Sequence, residues 1–504
     1  MERREGRELD RIRQEAEAFL REAAWEEYRN LAGLATESRL SAIYDRYAHL
    51  ADRGLVGALA RDPATATSPL TEFLVGHYAG RATAAVTDRL LAAEATATLG
   101  LAGETITYRN ADVAIRNEAD RERRGRLARA KAEVERRLAP LRAEVWARTY
   151  DALAELGYGD YVAMCRAFSG VDYDALARRL AAFVAETDDV YRDHLAYFLR
   201  RHAPGVPPAE RRSHDLARVF RAPEFDRGFP REELLEAAAR TAAGLALELT
   251  AGGRIEIDAE TRPAKRPRAF CMPIEVPGRI VLVVMPQGGQ EDYHAFFHEL
   301  GHALHYAHVA PEAPFEARYL GDHAVTEAFA FLFEHLLQSR PWLRRVLKLS
   351  GPLLDDYLRF AHFELLYFIR RYAAKLAYEL ALHGAAAAAA APESRTGREM
   401  AERYREELRR ALAVDYPAEF YLADLDPGFY AARYLRAWMF EAQLRERLVE
   451  AFDEDWFRNP RAAPFLAQLW ARGQPARLEA LAADAGLPAP DLAPLARQLA
   501  AALA

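Results

Sequence analysis

The chain has 504 residues, of which 51% are hydrophobic, 28% charged and 11% aromatic, an ordinary globular balance that excludes collagen-like, mucin-like and wholly disordered readings. Its 68 basic and 75 acidic residues leave a net charge of -7, without the basic footprint of a protein whose main partner is nucleic acid. Length alone suggests several domains or one large enzyme unit.

Only Cys165 and Cys271 are present, too few for a disulfide framework, so reduced thiols are expected. Met1 to Arg29 alternates Arg and Glu without an apolar core, and no stretch reaches the roughly 18 apolar residues that span a bilayer. We therefore expect a cytoplasmic chain with neither membrane nor nucleic acid as partner. Nothing in the sequence sets an oligomeric state.

Most of the chain reads as amphipathic helix, rich in Ala, Leu, Glu and Arg, with helical hairpins filling residues 1 to 250. Residues 121 to 152 show the pattern, with Leu127, Val134, Leu138, Leu141 and Val145 on one stripe and a break expected near Pro140. Strand signals are few: Glu104 to Tyr108, Arg254 to Ile257 and, strongest, Arg279 to Met285, where Ile280, Val281, Val283 and Val284 are β-branched. Breaks at 203 to 212 and 261 to 268 place a boundary near 260, dividing the chain into 1–260, a helical region, and 261–504. The alanine run Ala385 to Ala391 reads as a surface helix end or linker.

Seven of the 14 histidines fall between His294 and His335. Among them stand His298, Glu299 and His302 in an HExxH pattern, on a segment from Glu291 to Val309 with helical character. Residues four apart share a helix face, so the two imidazoles can meet one ion at roughly 2.0 to 2.1 Å, and Glu299, about 100° round the helix, can reach a water beside it. A catalytic zinc usually takes a third protein ligand. His308 is one candidate, although His305 occupies the place where the metzincin arrangement needs a Gly. Glu327 is the stronger, on a second helix capped by Asp322, with Phe329, Phe333 and Leu336 to pack it and Glu334 on its face two turns later to accept from a ligand histidine. His294, His323 and His335 read as capping, packed or supporting residues.

HELGHALH at 298–305, an acid 25 residues past the second histidine and another seven beyond it, together with Arg268-Ala269-Phe270-Cys271 ahead of a strand, resembles the thimet oligopeptidase and oligoendopeptidase family of zinc peptidases. The resemblance implies one Zn²⁺ held by His298, His302 and Glu327, with Glu299 as general base. It implies a mostly α, two-lobed helical zincin-like fold with a small β-sheet beside the active-site helix, residues 261–504 forming the zinc-binding catalytic region. The substrates implied are short peptides reaching a deep channel. The family also has a histidine and tyrosines near its C-terminal end that bond substrate and oxyanion; the segment 424–438 has no histidine, and Tyr430 or Tyr434 matches a tyrosine according to register. Arg433 or Arg436 is a further partner for the oxyanion or, in a related metallocarboxypeptidase, for a terminal carboxylate. A peptide is expected to lie along an exposed edge of the Arg279 to Met285 strand. A non-hydrolytic protein that keeps the metal site is the alternative from a different class.

Overall fold

Helical periodicity does produce helices over most of the chain, joined by short 3₁₀ turns, with five short strands among the described residues. The computed structural model describes residues 2–35, 37–101, 103–262, 264–384 and 391–504. The alanine run lies, but for Ala391, outside the described residues. The longer and site-bearing helices are α1 (Glu2–Leu31), α2 (Pro69–Thr96), α3 (Arg121–Glu155), α4 (Gln290–Ala307), α5 (His323–Glu334), α6 (Gly351–Gly384), α7 (Arg395–Leu412), α8 (Tyr430–Phe452), α9 (Ala462–Trp470) and α10 (Leu478–Asp484). Among the described residues, no helix is long and apolar enough to cross a membrane.

Two compact units form, each from separated stretches: Met1–Leu74, Pro223–Ala361 and Arg436–Ala502 make the first, and Val75–Ala222, His362–Leu435 and Leu503–Ala504 the second. The boundary expected near residue 260 falls inside the middle stretch of the first unit.

In the first unit, β3 (Ile255–Asp258), β4 (Phe270–Glu275) and β5 (Arg279–Val283) form a sheet in the order β3-β5-β4, parallel between β3 and β5 and antiparallel between β4 and β5. The strand expected to offer an edge is therefore the central one, and the edges belong to β3 and β4. Its composition explains this: Ile280, Val281, Leu282 and Val283 are apolar at every position and wholly buried, as a strand covered on both faces requires. Trp25, Tyr28 and Ala32 at the end of α1 pack on one face, against Phe270, Ile274, Val281 and Val283. β4 carries Pro273 opposite Ile280 and slips its register before Glu275, both tolerable on an edge.

In the second unit a hairpin of β1 (Thr98–Leu101) and β2 (Glu104–Thr107) sets Leu99 against Ala111, Ile115 and Leu127. α3 runs unbroken through Pro140, correcting the expected interruption. Proline costs about 3 kcal/mol in a helix interior, and burial of Val134, Leu138 and Ala139 on the packed face offsets it. The segment leading into α8 is tied to α6 and α7: Asp424 accepts from Arg371 at 2.7 Å, Lys375 at 3.1 Å and Tyr404 at 2.9 Å. Glu379 accepts from the Asp426 N–H at 2.9 Å, and its burial pushes the carboxyl up to about 8.

Candidate metal centre

α4 exists because Tyr293, Phe296, Phe297, Leu300, Ala303, Leu304 and Ala307, all fully buried, recur at helical spacing, while the opposite stripe carries His294, His298 and His302. Asp292 in the first turn accepts from Gln287 N at 2.5 Å and Gly288 N at 2.9 Å, fixing the chain as it enters. α5 is buried from Ala324 to Phe333 and apolar over that stretch apart from Thr326 and Glu327; Asp322 caps it, accepting from Ala324 N at 3.0 Å. The cap is itself held. Asp322 accepts from Arg436 at 2.7 Å and from Leu478 N at 3.1 Å, and its own N–H donates to Pro475 O at 2.9 Å.

α4 and α5 meet closely at Gly301. A Cβ there would lie 2.5 Å from Phe329 O and 2.6 Å from Ala330 Cα, backbone atoms that cannot swing aside. We expect Gly301→Ala to force the helices apart, costing about 1–3 kcal/mol in urea unfolding and weakening zinc binding at the same time. An alanine variant as stable as the parent would contradict this account of the contact.

At that contact His298, His302 and Glu327 each offer a ligand atom, all within 4.8 Å of one another. Glu327 Oε2 lies 3.4 Å from His298 Nε2 and 3.6 Å from His302 Nε2. Donors about 2.0–2.1 Å from a common ion at tetrahedral angles are roughly 3.3–3.4 Å apart, so the spacing fits one small divalent cation. The far nitrogens are committed. His298 Nδ1 donates to Glu334 Oε2 at 2.8 Å and His302 Nδ1 to Thr326 Oγ1 at 2.8 Å, which turns both Nε2 atoms toward Glu327. The group could hold a metal ion.

Electrostatics follow from this packing. Burial disfavours charge on Glu327, but His302 and His298 outweigh it and hold the carboxyl below the usual carboxylate range. Burial likewise opposes charge on His298, yet Glu327 and Glu334 hold its ring above the ordinary imidazole value. Glu334, despite its burial, is pulled down to about 2 by His294 and His298. Glu299, beside His298 on α4, accepts from the Cys271 N–H of β4 at 2.9 Å. Burial, and then the charge of Glu299, push the Cys271 thiol well up, so it stands protonated.

The other sequence candidates fall elsewhere. His308 donates from Nδ1 to Leu304 O at 2.7 Å and its ring lies against Trp470, away from the donor group. His305 is fully buried, bonds Gly473 O at 3.2 Å, and is pushed down to about 3 by burial, a neutral packed ring. Arg436, proposed for substrate, is bound to Asp322 and to Glu479 at 2.9 Å and is 5% exposed; its charge is consumed in holding the cap of α5. Tyr430 and Tyr434 belong to the second unit, one turn apart at the start of α8, their rings 5.0 Å apart. Arg433 lies over the Tyr430 ring at 5.7 Å and Tyr372 against Tyr434 at 5.1 Å. Sequence reasoning missed Thr326 and the Cys271 N–H. The first directly precedes Glu327 but carries no spacing signature, and the second is a backbone group visible only once β4 is placed.

Compared with known proteins, the sequence matches no protein-family description and no curated protein. Its fold is similar to solved structures. A protein from Chlamydophila abortus provisionally described as a peptidase gives a TM-score of 0.66 at 12% identity, covering 98% of this chain and 88% of that one. PZ peptidase A, solved with an inhibitor, gives 0.59 at 17% identity over 95% and 82%. A protein from Bacillus anthracis str. Ames, provisionally described as an oligoendopeptidase F, gives 0.58 at 14% identity over 94% and 86%. The mostly helical fold with a small sheet is shared across nearly the whole chain.

Proposed function

We propose that the chain is a zinc metallopeptidase of the thimet oligopeptidase and oligoendopeptidase type, hydrolysing peptide bonds within short peptides. The observation that carries the reading is the convergence of His298 and His302 on Glu327, whose Oε2 lies 3.4 Å and 3.6 Å from their Nε2 atoms, with both far imidazole nitrogens engaged. The likeness in fold to proteins described as peptidases supports it.

When bound, zinc supplies Lewis acidity, lowering the pKa of water to about 7 and polarising the scissile carbonyl. Glu334 and Thr326 keep the two imidazoles in the tautomer that faces the ion. Glu299 takes the proton of the attacking water and returns it to the departing amine. Its bond to the Cys271 N–H sets the carboxylate at β4, an edge strand on which an extended peptide can add by main-chain hydrogen bonds that ignore side-chain identity. Tyr430, Tyr434 and Arg433 are the remaining candidates to meet charge on the carbonyl oxygen. Two free cysteines suit a reducing, cytoplasmic setting, and neither nucleic acid nor membrane enters the reading as a partner.

A carboxypeptidase would need a cation for the terminal carboxylate; Arg436 is already bound in two ion pairs, which leaves Arg433 as the candidate for that variant. Peptides blocked at both ends decide it. Protein never exposed to chelator should contain about one zinc per chain and cut blocked peptides internally; metal-free protein that remains active would overturn the proposal.

A further inference from the structure

We propose that His294 and Tyr357 are positioning residues for the metal, holding the second oxygen of Glu334 and so fixing the ring and tautomer of His298. The inference rests on the zinc reading above. His294 precedes His298 by one turn of α4 and shares its face. Its Nδ1 faces Glu334 Oε1 at 3.6 Å, and its Nε2 lies 3.1 Å from the Tyr357 hydroxyl. A carboxylate only accepts, so on a neutral His294 the Nδ1 carries the hydrogen and the Nε2 lone pair accepts from the Tyr357 O–H. On that tautomer the Tyr357 O–H donates to His294, the His294 Nδ1–H faces Glu334 Oε1 across 3.6 Å, and His298 donates to the other oxygen of Glu334.

The end of this chain is anchored. Tyr357 is wholly buried near the start of α6, its ring 4.7 Å from Phe229 and 5.5 Å from Phe225. His294 is the partner on the far side of Glu334 from His298. The buried Glu441 on α8 acts on it as a like charge, and Arg445 bonds Glu441 at 2.8 Å rather than Glu334. Without His294, the carboxylate that orients His298 loses the group that faces its second oxygen.

The test is the zinc Kd of the purified full chain, measured by competition with a fluorescent chelator. His294→Phe is expected to weaken binding about tenfold, the lower end for partners of a metal ligand. Tyr357→Phe, which removes one oxygen and little else, should weaken it about threefold. His294→Asn puts an amide N–H where Nδ1 stood and should restore the Kd to within about twofold of the parent. In a Glu334→Ala background His294→Phe should add no further loss, because its effect runs through Glu334. Kd values within twofold of the parent for both His294→Phe and Tyr357→Phe overturn the inference while leaving the zinc reading intact, as does a His294→Phe loss that persists undiminished without Glu334. A parent that binds no zinc overturns the reading and the inference together.

Discussion

Glu299→Gln is expected to keep one zinc per chain and to lose peptide hydrolysis by about a thousandfold, within the 10²–10⁴ range of a positioned general base. That loss corresponds to about 4 kcal/mol of transition-state stabilisation. The reasoning is local. Glu299 is not among the three converging donors, so its charge is not needed to hold the ion. The amide oxygen of Gln can still accept from Cys271 N–H, so the fold contact survives the change. What disappears is the ability to take a proton. Zinc content by elemental analysis and turnover of a blocked peptide check both halves, and a variant that still hydrolyses would remove Glu299 from the mechanism.

Glu327→Ala should weaken zinc binding by more than a hundredfold, beyond the 10–100-fold typical of residues once removed from the metal, whereas His308→Ala should leave the Kd within twofold. Glu327 supplies the only carboxylate oxygen of the donor group, and His308 is spent on Leu304 O and Trp470. In the parent, zinc at a thousand times its Kd adds about 4 kcal/mol to unfolding stability, an increment a chelator should abolish and Glu327→Ala should not show. If His308→Ala alone releases the ion, the ligand set is wrong.

Much of the donor group was legible because two of its residues obey a rule of period. His298 and His302 are one turn apart on a helix whose buried face is equally periodic, and Asp322 announces the helix that carries Glu327. Glu334 was legible for the same reason, two turns beyond Glu327. Contacts that depend on packing were not. Thr326 meets His302 only because Gly301 lets the two helices touch, and no local pattern encodes that approach. β5 was recognised as a strand, but its partners lie elsewhere in the chain, and its unbroken apolar run signalled two covered faces rather than an edge. β4 contains Pro273, which speaks against a strand in sequence, and β1 is four residues with a Gly among them. A linear boundary near 260 could not anticipate units built from interleaved stretches.

The closing of the α5 cap by Arg436, Pro475 and Leu478 has a consequence for the order in which the protein is made. Leu478 emerges from the ribosome 144 residues after Glu334, about 7–30 s later at 5–20 residues per second. Throughout that interval the nascent chain carries all three donor residues without the segments that complete the helix bearing the carboxylate. A chain cut short before residue 436 would keep His298, His302 and Glu327 yet lack the side chain and backbone groups that hold Asp322 at the start of the helix bearing the carboxylate.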